Sequence, residues 1–226
     1  MRYIQRQSAF ARGLHWAHTI ACLSLFVTGL MLFIPAVAEA VGVGALQGAR
    51  TVHRVMAVVF IGAPILSVVV NPKGFKHFWN NLFYKWDAKD KEFMKKFLPY
   101  LLFGAKQHMP EQKELKSGQA FADWLIILFA ILISISGVFM WIAAANSAVL
   151  SAGLTRWMYV VHDVSMVLLG VMLVAHIYLG AGVFQPYRGS IRLMFGDGKV
   201  SESDALYHWG TWAKEELRKG DKVTVE

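Results

Sequence analysis

The sequence predicts an all-α integral membrane protein built as a bundle of four transmembrane helices. Of its 226 residues, 56% are hydrophobic and only 17% are charged, and the mean hydropathy is +0.42. An ordinary soluble domain of this length is less apolar than this. Four apolar stretches are each long enough to cross a bilayer. They cover about 14–38, 51–70, 119–145 and 156–180.

The first span follows a short basic arm, and residues 13–38 carry no formal charge. The segment PAVAEA at 35–40 resembles a signal-peptide cleavage site. However, the apolar stretch is longer than the ~7–15 residues of a signal core, and it contains histidines, for which a signal has no use. We therefore interpret it as a membrane span, followed by an exit loop rich in small residues up to about residue 50.

Residues 71–118 differ in composition, with ten lysines against five acidic residues and interleaved aromatic side chains. This pattern predicts a cytoplasmic loop with an amphipathic helix at the membrane interface, in contact with lipid. The net charge of +8 does not indicate a nucleic-acid partner, because Lys and Arg collect on the cytoplasmic side of membrane proteins. The predicted organisation is a membrane domain over 1–187 and a polar cytoplasmic tail over 188–226, partly helical near 204–219.

Charge also predicts the orientation. The N-terminal arm, the 71–118 loop and the tail together hold 20 of the 23 Lys and Arg residues. The positive-inside rule then places both termini and the long loop in the cytoplasm. The single cysteine, Cys22, lies in an apolar run, so the sequence predicts neither an intrachain disulfide nor a cysteine-based metal cluster.

The fourth span carries a histidine at each end, in the stretch VHDVSMVLLGVMLVAHIY. His162 and His176 are 14 residues apart, which is about 21 Å along a helix at ~1.5 Å per residue. At ~100° per residue they return to within about 40° of each other, so both imidazoles point from one face. Polar groups inside a membrane are costly and are usually functional.

The topology predicts which histidines meet. At the inner level, His15 or His18 lies opposite His176, and at the outer level His53 lies opposite His162. Two histidine pairs at two depths are what two six-coordinate b-type hemes require. The sequence has no C-x-x-C-H motif, so these hemes would be bound non-covalently. For any single histidine the alternative is a hydrogen bond between helices.

Several motifs together resemble a known family. They are R-x-x-H-W at residues 12–16, R-x-x-H at 50–53, V-H with A-H-I-Y in span four, and GSIRLMFGDGKVS at 189–201. The sequence is similar over nearly its whole length to the gamma subunit of membrane-bound formate dehydrogenase, a di-heme cytochrome b that anchors the enzyme.

The resemblance implies a set of iron ligands. The four ligating histidines of that family map onto His15 and His176 for the inner heme and onto His53 and His162 for the outer heme. This mapping favours His15 over His18. Arg12 and Arg50 lie near the heme levels and are candidates to pair with heme propionates, the alternative being that they are simply solvated.

The resemblance also implies a quinone site, with one departure from the family pattern. Where the family often carries Asn-x-Gly-Gln, this chain has Lys116, Ser117, Gly118 and Gln119. Gln119 or Lys116 could still hydrogen-bond a quinone oxygen. The alternative for Lys116 is a side chain that snorkels to lipid headgroups.

By resemblance, the chain is an electron-transfer subunit of a quinone-reducing formate dehydrogenase in a bacterial inner membrane. Its expected partners are an iron–sulfur beta subunit, a molybdenum or tungsten alpha subunit, and menaquinone or ubiquinone. The complex could form a higher oligomer. Two other interpretations remain open, namely the cytochrome b subunit of another quinone-linked enzyme, such as a nickel–iron hydrogenase, and a heme-free membrane anchor or transporter.

Overall fold

The computed structural model describes residues 1–104, 108–184 and 187–226, so Lys106 of the basic loop lies outside the described residues. Within those ranges the chain is mostly helical. The helices are α1 (Ala9–Phe33), α2 (Pro35–Val70), α3 (Pro72–Leu82), α4 (Ala88–Phe103), α5 (Ser117–Ala145), α6 (Ala152–Gly180), α7 (Arg192–Phe195), α8 (Glu202–His208) and α9 (Gly210–Lys219). The strands are β1 (Arg2–Gln5), β2 (Lys199–Ser201) and β3 (Val223–Val225).

Four of these helices, α1, α2, α5 and α6, are long and apolar enough to cross a membrane. This confirms the prediction of an all-α protein with four such helices. Many of their large apolar side chains are exposed, including Val27 on α1 and Val69 on α2. Contiguous apolar surface of this extent is not tolerated in water, and lipid is the solvent that suits it.

The predicted exit loop up to residue 50 is wrong, because this stretch is helical. Helix α1 ends at Phe33, and Ile34 adopts an extended conformation, as expected for a residue before proline. Pro35 then begins α2 at a position where its missing N–H is not needed. Gly42 has a φ of 77° and interrupts the helical backbone, so α2 bends there and continues.

The chain forms two compact units. The first comprises Met1–Arg12, Lys73–Leu125 and Val174–Glu226, and the second comprises Gly13–Pro72 and Ile126–Leu173.

In the first unit, a three-stranded antiparallel sheet joins the two ends of the chain. Strand β1 lies between β2 and β3, with Tyr3 opposite both Ser201 and Thr224. One face of this sheet packs against the tail helices α8 and α9 around an apolar core. That core contains Ile4, Val200, Ala205, Trp209, Trp212 and Ala213.

The first unit also holds the start of α5 against the helices of the basic loop. Helix α4 begins with a capping box in which Asp87 and Asp90 each accept a hydrogen bond from the other's backbone N–H. Gly118 packs against α4, since a Cβ there would lie 3.2 Å from the ring of Phe93. The indole of Trp124 donates to the carbonyl of Leu82 on α3 at 3.1 Å. These contacts fix the first turns of α5.

In the second unit, two of the spans approach each other closely at positions where one of the contacting residues is glycine. A Cβ on Gly170 of α6 would lie 2.3 Å from Phe26 of α1, so only glycine fits under that ring. One turn away, Gly29 of α1 faces the sulfur of Met166 on α6. Small residues at such crossings let membrane helices pack tightly.

Candidate functional site

The second unit brings two of the predicted ligands together. The imidazole rings of His53 on α2 and His162 on α6 have centres 6.3 Å apart. Metal–imidazole bonds are about 2.0–2.1 Å long, and a ring nitrogen lies roughly 1.1 Å from the ring centre, so two imidazoles on one metal have centres roughly 6.3 Å apart. The observed separation therefore suits one iron ligated from both sides.

Each of these rings is oriented by hydrogen bonds at Nδ1. His162 Nδ1 lies 3.1 Å from the carbonyl oxygen of Ile133, which can only accept. The hydrogen of His162 must therefore sit on Nδ1, which leaves Nε2 as the basic nitrogen. Ser136 Oγ lies 3.2 Å from the same Nδ1. A metal-ligating histidine commonly uses its second nitrogen in this way.

His53 is held by a comparable contact from α1. Its Nδ1 lies 2.8 Å from the hydroxyl oxygen of Thr28. That hydroxyl also lies 2.7 Å from the carbonyl oxygen of Ser24 and donates its hydrogen there. The His53 Nδ1–H is then the donor to Thr28, so Nε2 of His53 is basic as well.

Two glycines lie directly against these rings. A Cβ on Gly29 would lie 3.6 Å from Cε1 of His53, and a Cβ on Gly137 would lie 3.1 Å from Cε1 of His162. The second distance is tighter than ordinary van der Waals contact. Glycine on α5 therefore lets the His162 ring sit close to the helix backbone.

This arrangement fits a b-type heme. The two imidazoles present basic nitrogens at a suitable separation, and a porphyrin supplies the other four ligands of the iron. Residues 1–104, 108–184 and 187–226 contain no group of three or more His, Cys, Asp or Glu that could hold a metal ion by themselves. The ligation of His53 and His162 remains a prediction.

The predicted inner ligands fall in different units, His15 in the second and His176 in the first. Their pairing therefore also remains a prediction. His15 lies edge-on to the ring of its neighbour Trp16, with centres 5.7 Å apart. His18 stacks on Phe60 of α2 at 4.2 Å with an angle of 25° between the planes. This stacking gives His18 a packing role between α1 and α2.

The two candidate arginines have different surroundings. Nη1 of Arg12 donates to the carbonyl oxygens of Gln7 at 2.9 Å and Asp197 at 2.8 Å. Arg12 therefore ties the N-terminal arm to the tail within the first unit, a structural role that the sequence did not reveal. Arg50 is exposed on α2.

Lys116 is buried beneath aromatic rings instead of reaching towards headgroups. Its side chain is only 5% exposed, and Nζ lies 4.0 Å from the ring centre of Tyr187 and 4.8 Å from that of Trp209. Burial, and secondly the charge of Arg6, hold the pKa of Lys116 well below its usual value. The alternative interpretation, in which the Lys116 side chain extends to lipid headgroups, is therefore wrong. Gln119 is exposed, and Asp123 lies one turn further along α5.

Arg6 is a residue of this cluster that the sequence analysis missed. Its guanidinium lies 4.2 Å from the ring centre of Trp209 and 4.9 Å from that of Trp212, and Nη2 donates to the carbonyl oxygen of Glu114 at 2.6 Å. Burial lowers the pKa of Arg6 to about 10, with Glu114 acting in the opposite direction. In the sequence, Arg6 is one of several arginines in a basic arm, and no pattern separates it from the others.

The sequence is similar to known cytochromes. It is 25% identical over 220 residues to the formate dehydrogenase cytochrome b556(fdo) subunit of Escherichia coli strain K12, and equally to that of Escherichia coli O157:H7. The alignment covers 97% of this chain and 96% of each relative. This confirms the resemblance found in the motifs.

A family model described as prokaryotic cytochrome b561 matches residues 6–197. A cytochrome b family implies a b-type heme, and the four apolar helices together with this match indicate an integral membrane protein. Because the match spans most of the sequence, the chain belongs to the prokaryotic cytochrome b561 family.

Proposed function

We propose that this chain is the membrane cytochrome subunit of a formate dehydrogenase complex and conducts electrons across the membrane to a quinone. The observation that carries the proposal is the His53–His162 pair, with ring centres 6.3 Å apart and both Nδ1 atoms hydrogen-bonded to neighbouring helices. The similarity to the formate dehydrogenase subunits supports the choice of enzyme.

At the outer level, His53 and His162 hold one heme b through their Nε2 atoms. When bound, heme b would supply one-electron redox chemistry. Thr28, Ser136 and the Ile133 carbonyl keep the two imidazoles in the ligating orientation. At the inner level, His15 and His176 hold the second heme b.

Gln119 binds a quinone oxygen at the start of α5, near the cytoplasmic side. Its amide is exposed and can donate to a quinone carbonyl. Lys116 forms the buried border of this site, where Tyr187 and Trp209 cover its ammonium group. The quinone, menaquinone or ubiquinone, takes its protons from the cytoplasm.

The orientation and the partners follow from charge and from similarity. The positive-inside rule places both termini in the cytoplasm, which leaves the His53–His162 level on the outer side. An iron–sulfur subunit delivers electrons at that side, and a molybdenum or tungsten subunit takes them from formate. Electron flow inward across the bilayer then contributes to the membrane potential.

Heme counting tests the proposal. We expect pyridine hemochrome analysis of the purified chain to give two hemes b per chain, and His53→Ala and His162→Ala each to give one. His77→Ala is the matched control, because His77 is an exposed histidine on α3, and it should retain both hemes. A wild-type chain without heme would instead support a membrane anchor or transporter.

The identity of the enzyme is tested by the electron donor. In membranes that contain the chain with its natural partners, formate should reduce the hemes and added quinone should reoxidise them. Reduction by hydrogen gas and not by formate would assign the chain to a hydrogenase.

A further inference from the structure

The first unit contains a carboxyl group that the proposed electron path does not use. Asp123 lies within the apolar helix α5, and the next charged residue along the chain is Arg156. An ionisable side chain inside a membrane span is costly and generally has a function. Asp123 is half-buried, and it forms no ion pair with any residue in 1–104, 108–184 or 187–226.

Asp123 is placed beside the proposed quinone contact. Gln119 precedes Asp123 by four residues on α5. Four residues correspond to about 40° around a helix and about 6 Å along it, so the two side chains share one face of α5. Lys116 directly precedes the helix, where its ammonium group lies against Tyr187 and Trp209. Gln119 and Asp123 therefore form a polar stripe that starts beside Lys116 and runs into the span.

The stripe lies on a face of α5 that α4 does not cover. Gly118 faces α4, because a Cβ at this position would lie within 4 Å of the side chains of Phe93 and Met94. Asp123 is about 140° around the helix from Gly118. The face that carries Gln119 and Asp123 therefore points away from α4.

We infer that Asp123 is a catalytic residue of this site and gives a proton to the quinone oxygen that Gln119 binds. The inference rests on the proposed function. A carboxyl group in apolar surroundings is least costly when it carries its proton, so Asp123 is suited to store one between turnovers. Gln119 binds the quinone oxygen and cannot itself supply a proton at neutral pH.

The quinone accepts two electrons, one at a time, from the reduced cytochrome, which the partner dehydrogenase has reduced. The O–H bond of Asp123 breaks while an O–H bond forms on one quinone oxygen, and the second oxygen takes its proton from water. The Asp123 carboxylate then regains a proton from the cytoplasmic side.

The test compares three variants of the heme-loaded chain. Asp123→Asn keeps the size of the side chain but cannot release a proton, whereas Asp123→Glu retains the carboxyl group. Glu39→Gln is the control, since it removes an exposed carboxyl group elsewhere in the chain. The protein is reduced with dithionite, and its reoxidation by a short-chain ubiquinone or menaquinone is followed in H₂O and in D₂O.

We expect Asp123→Asn to retain both hemes and to be reoxidised about 10²-fold or more slowly, the usual loss when a proton donor is removed. Asp123→Glu should recover most of the rate together with its solvent isotope effect, and Glu39→Gln should match the wild type. A second measurement is independent of turnover. Infrared difference spectra of the oxidised protein on quinone binding should show a carboxylic acid band that is missing in Asp123→Asn.

An unchanged rate in Asp123→Asn, alongside normal wild-type reoxidation, would overturn the role of Asp123 and leave the proposed function standing. Equal slowing in the Asn and Glu variants would also overturn it, because it would indicate a structural role. If neither quinone reoxidises the wild type, the proposed function and this inference fail together.

Discussion

Replacing Thr28 with valine should weaken the binding of the heme proposed between His53 and His162. The substitution nearly preserves the shape of the side chain and removes the oxygen that lies 2.8 Å from Nδ1 of His53. The Ser24 carbonyl, which accepts from the Thr28 hydroxyl, keeps its backbone partner in α1, so little helical stability should be lost. The main consequence is a buried Nδ1–H without an acceptor.

The magnitude follows from the burial of this contact. Thr28 is 7% exposed, so water cannot readily replace the missing hydroxyl. A buried donor left without a partner costs about 1–3 kcal/mol. At about 1.4 kcal/mol per factor of ten, this corresponds to a loss of roughly 5–150-fold in heme affinity. The effect agrees with the ~10–100-fold found when the hydrogen-bond partner of a metal-ligating histidine is removed.

The assay is the rate at which heme leaves the purified chain for an excess of heme-free globin. Thr51→Val is the matched control, because Thr51 is an exposed threonine on the same helix as His53 and its hydroxyl bonds the Gln47 carbonyl. Ser136→Ala should have a smaller effect than Thr28→Val, since His162 keeps its bond to Ile133. If Thr28→Val releases heme no faster than Thr51→Val, the assignment of Thr28 as the anchor of His53 is refuted.

Two further changes test the packing and the charge of the structure. Gly137→Ala should push the His162 ring, whose Cε1 would lie 3.1 Å from the new Cβ, and should lower the free energy of unfolding by about 1–3 kcal/mol. Gly13→Ala is the control: its Cβ meets nothing within 4 Å, and alanine is the better helix former, so it should not destabilise the protein. Burial, and secondly the charge of Lys116, lower the pKa of His208 to about 3 from its usual 6.5. The unfolded chain therefore binds a proton first as the pH falls, so the contribution of His208 is fully present above pH 6.5 and is lost towards pH 3. Melting temperatures between pH 7 and pH 5 should show a smaller acid-induced drop in His208→Gln, and an unchanged drop would contradict this account.

The four membrane-crossing helices could be predicted, because a membrane span is specified by its length and its apolar composition. The structure confirms all four. The outer pair was inferred from the direction of each span, and the structure brings those two rings to 6.3 Å, although their ligation of iron stays a prediction. The predicted loop before residue 50 was wrong because the stretch is rich in alanine, the strongest helix former, and only Gly42 departs from the helical backbone.

Neither the three-stranded sheet nor the aromatic cluster around Arg6 and Lys116 could be predicted from a pattern in the sequence. Strands of three or four residues are too short for an alternating pattern, and β1 pairs with strands about two hundred residues away. Arg6 and Lys116 are isolated basic residues in basic segments, and only the fold shows that both lie over Trp209. Their environment depends on contacts between distant parts of the chain, which no local pattern records.

The outer pair draws on all four spans. His53 and His162 come from α2 and α6, and the groups that hold their Nδ1 atoms, Thr28 and the Ile133 carbonyl, come from α1 and α5. Each of these two proposed ligands is therefore oriented by a helix other than its own. A ligand geometry of this kind can form only when the four helices have packed, and a bound heme that favours the geometry would in turn favour the packed bundle. Heme binding and the thermal stability of the second unit should therefore change together, and a variant that loses the outer heme should also melt at a lower temperature.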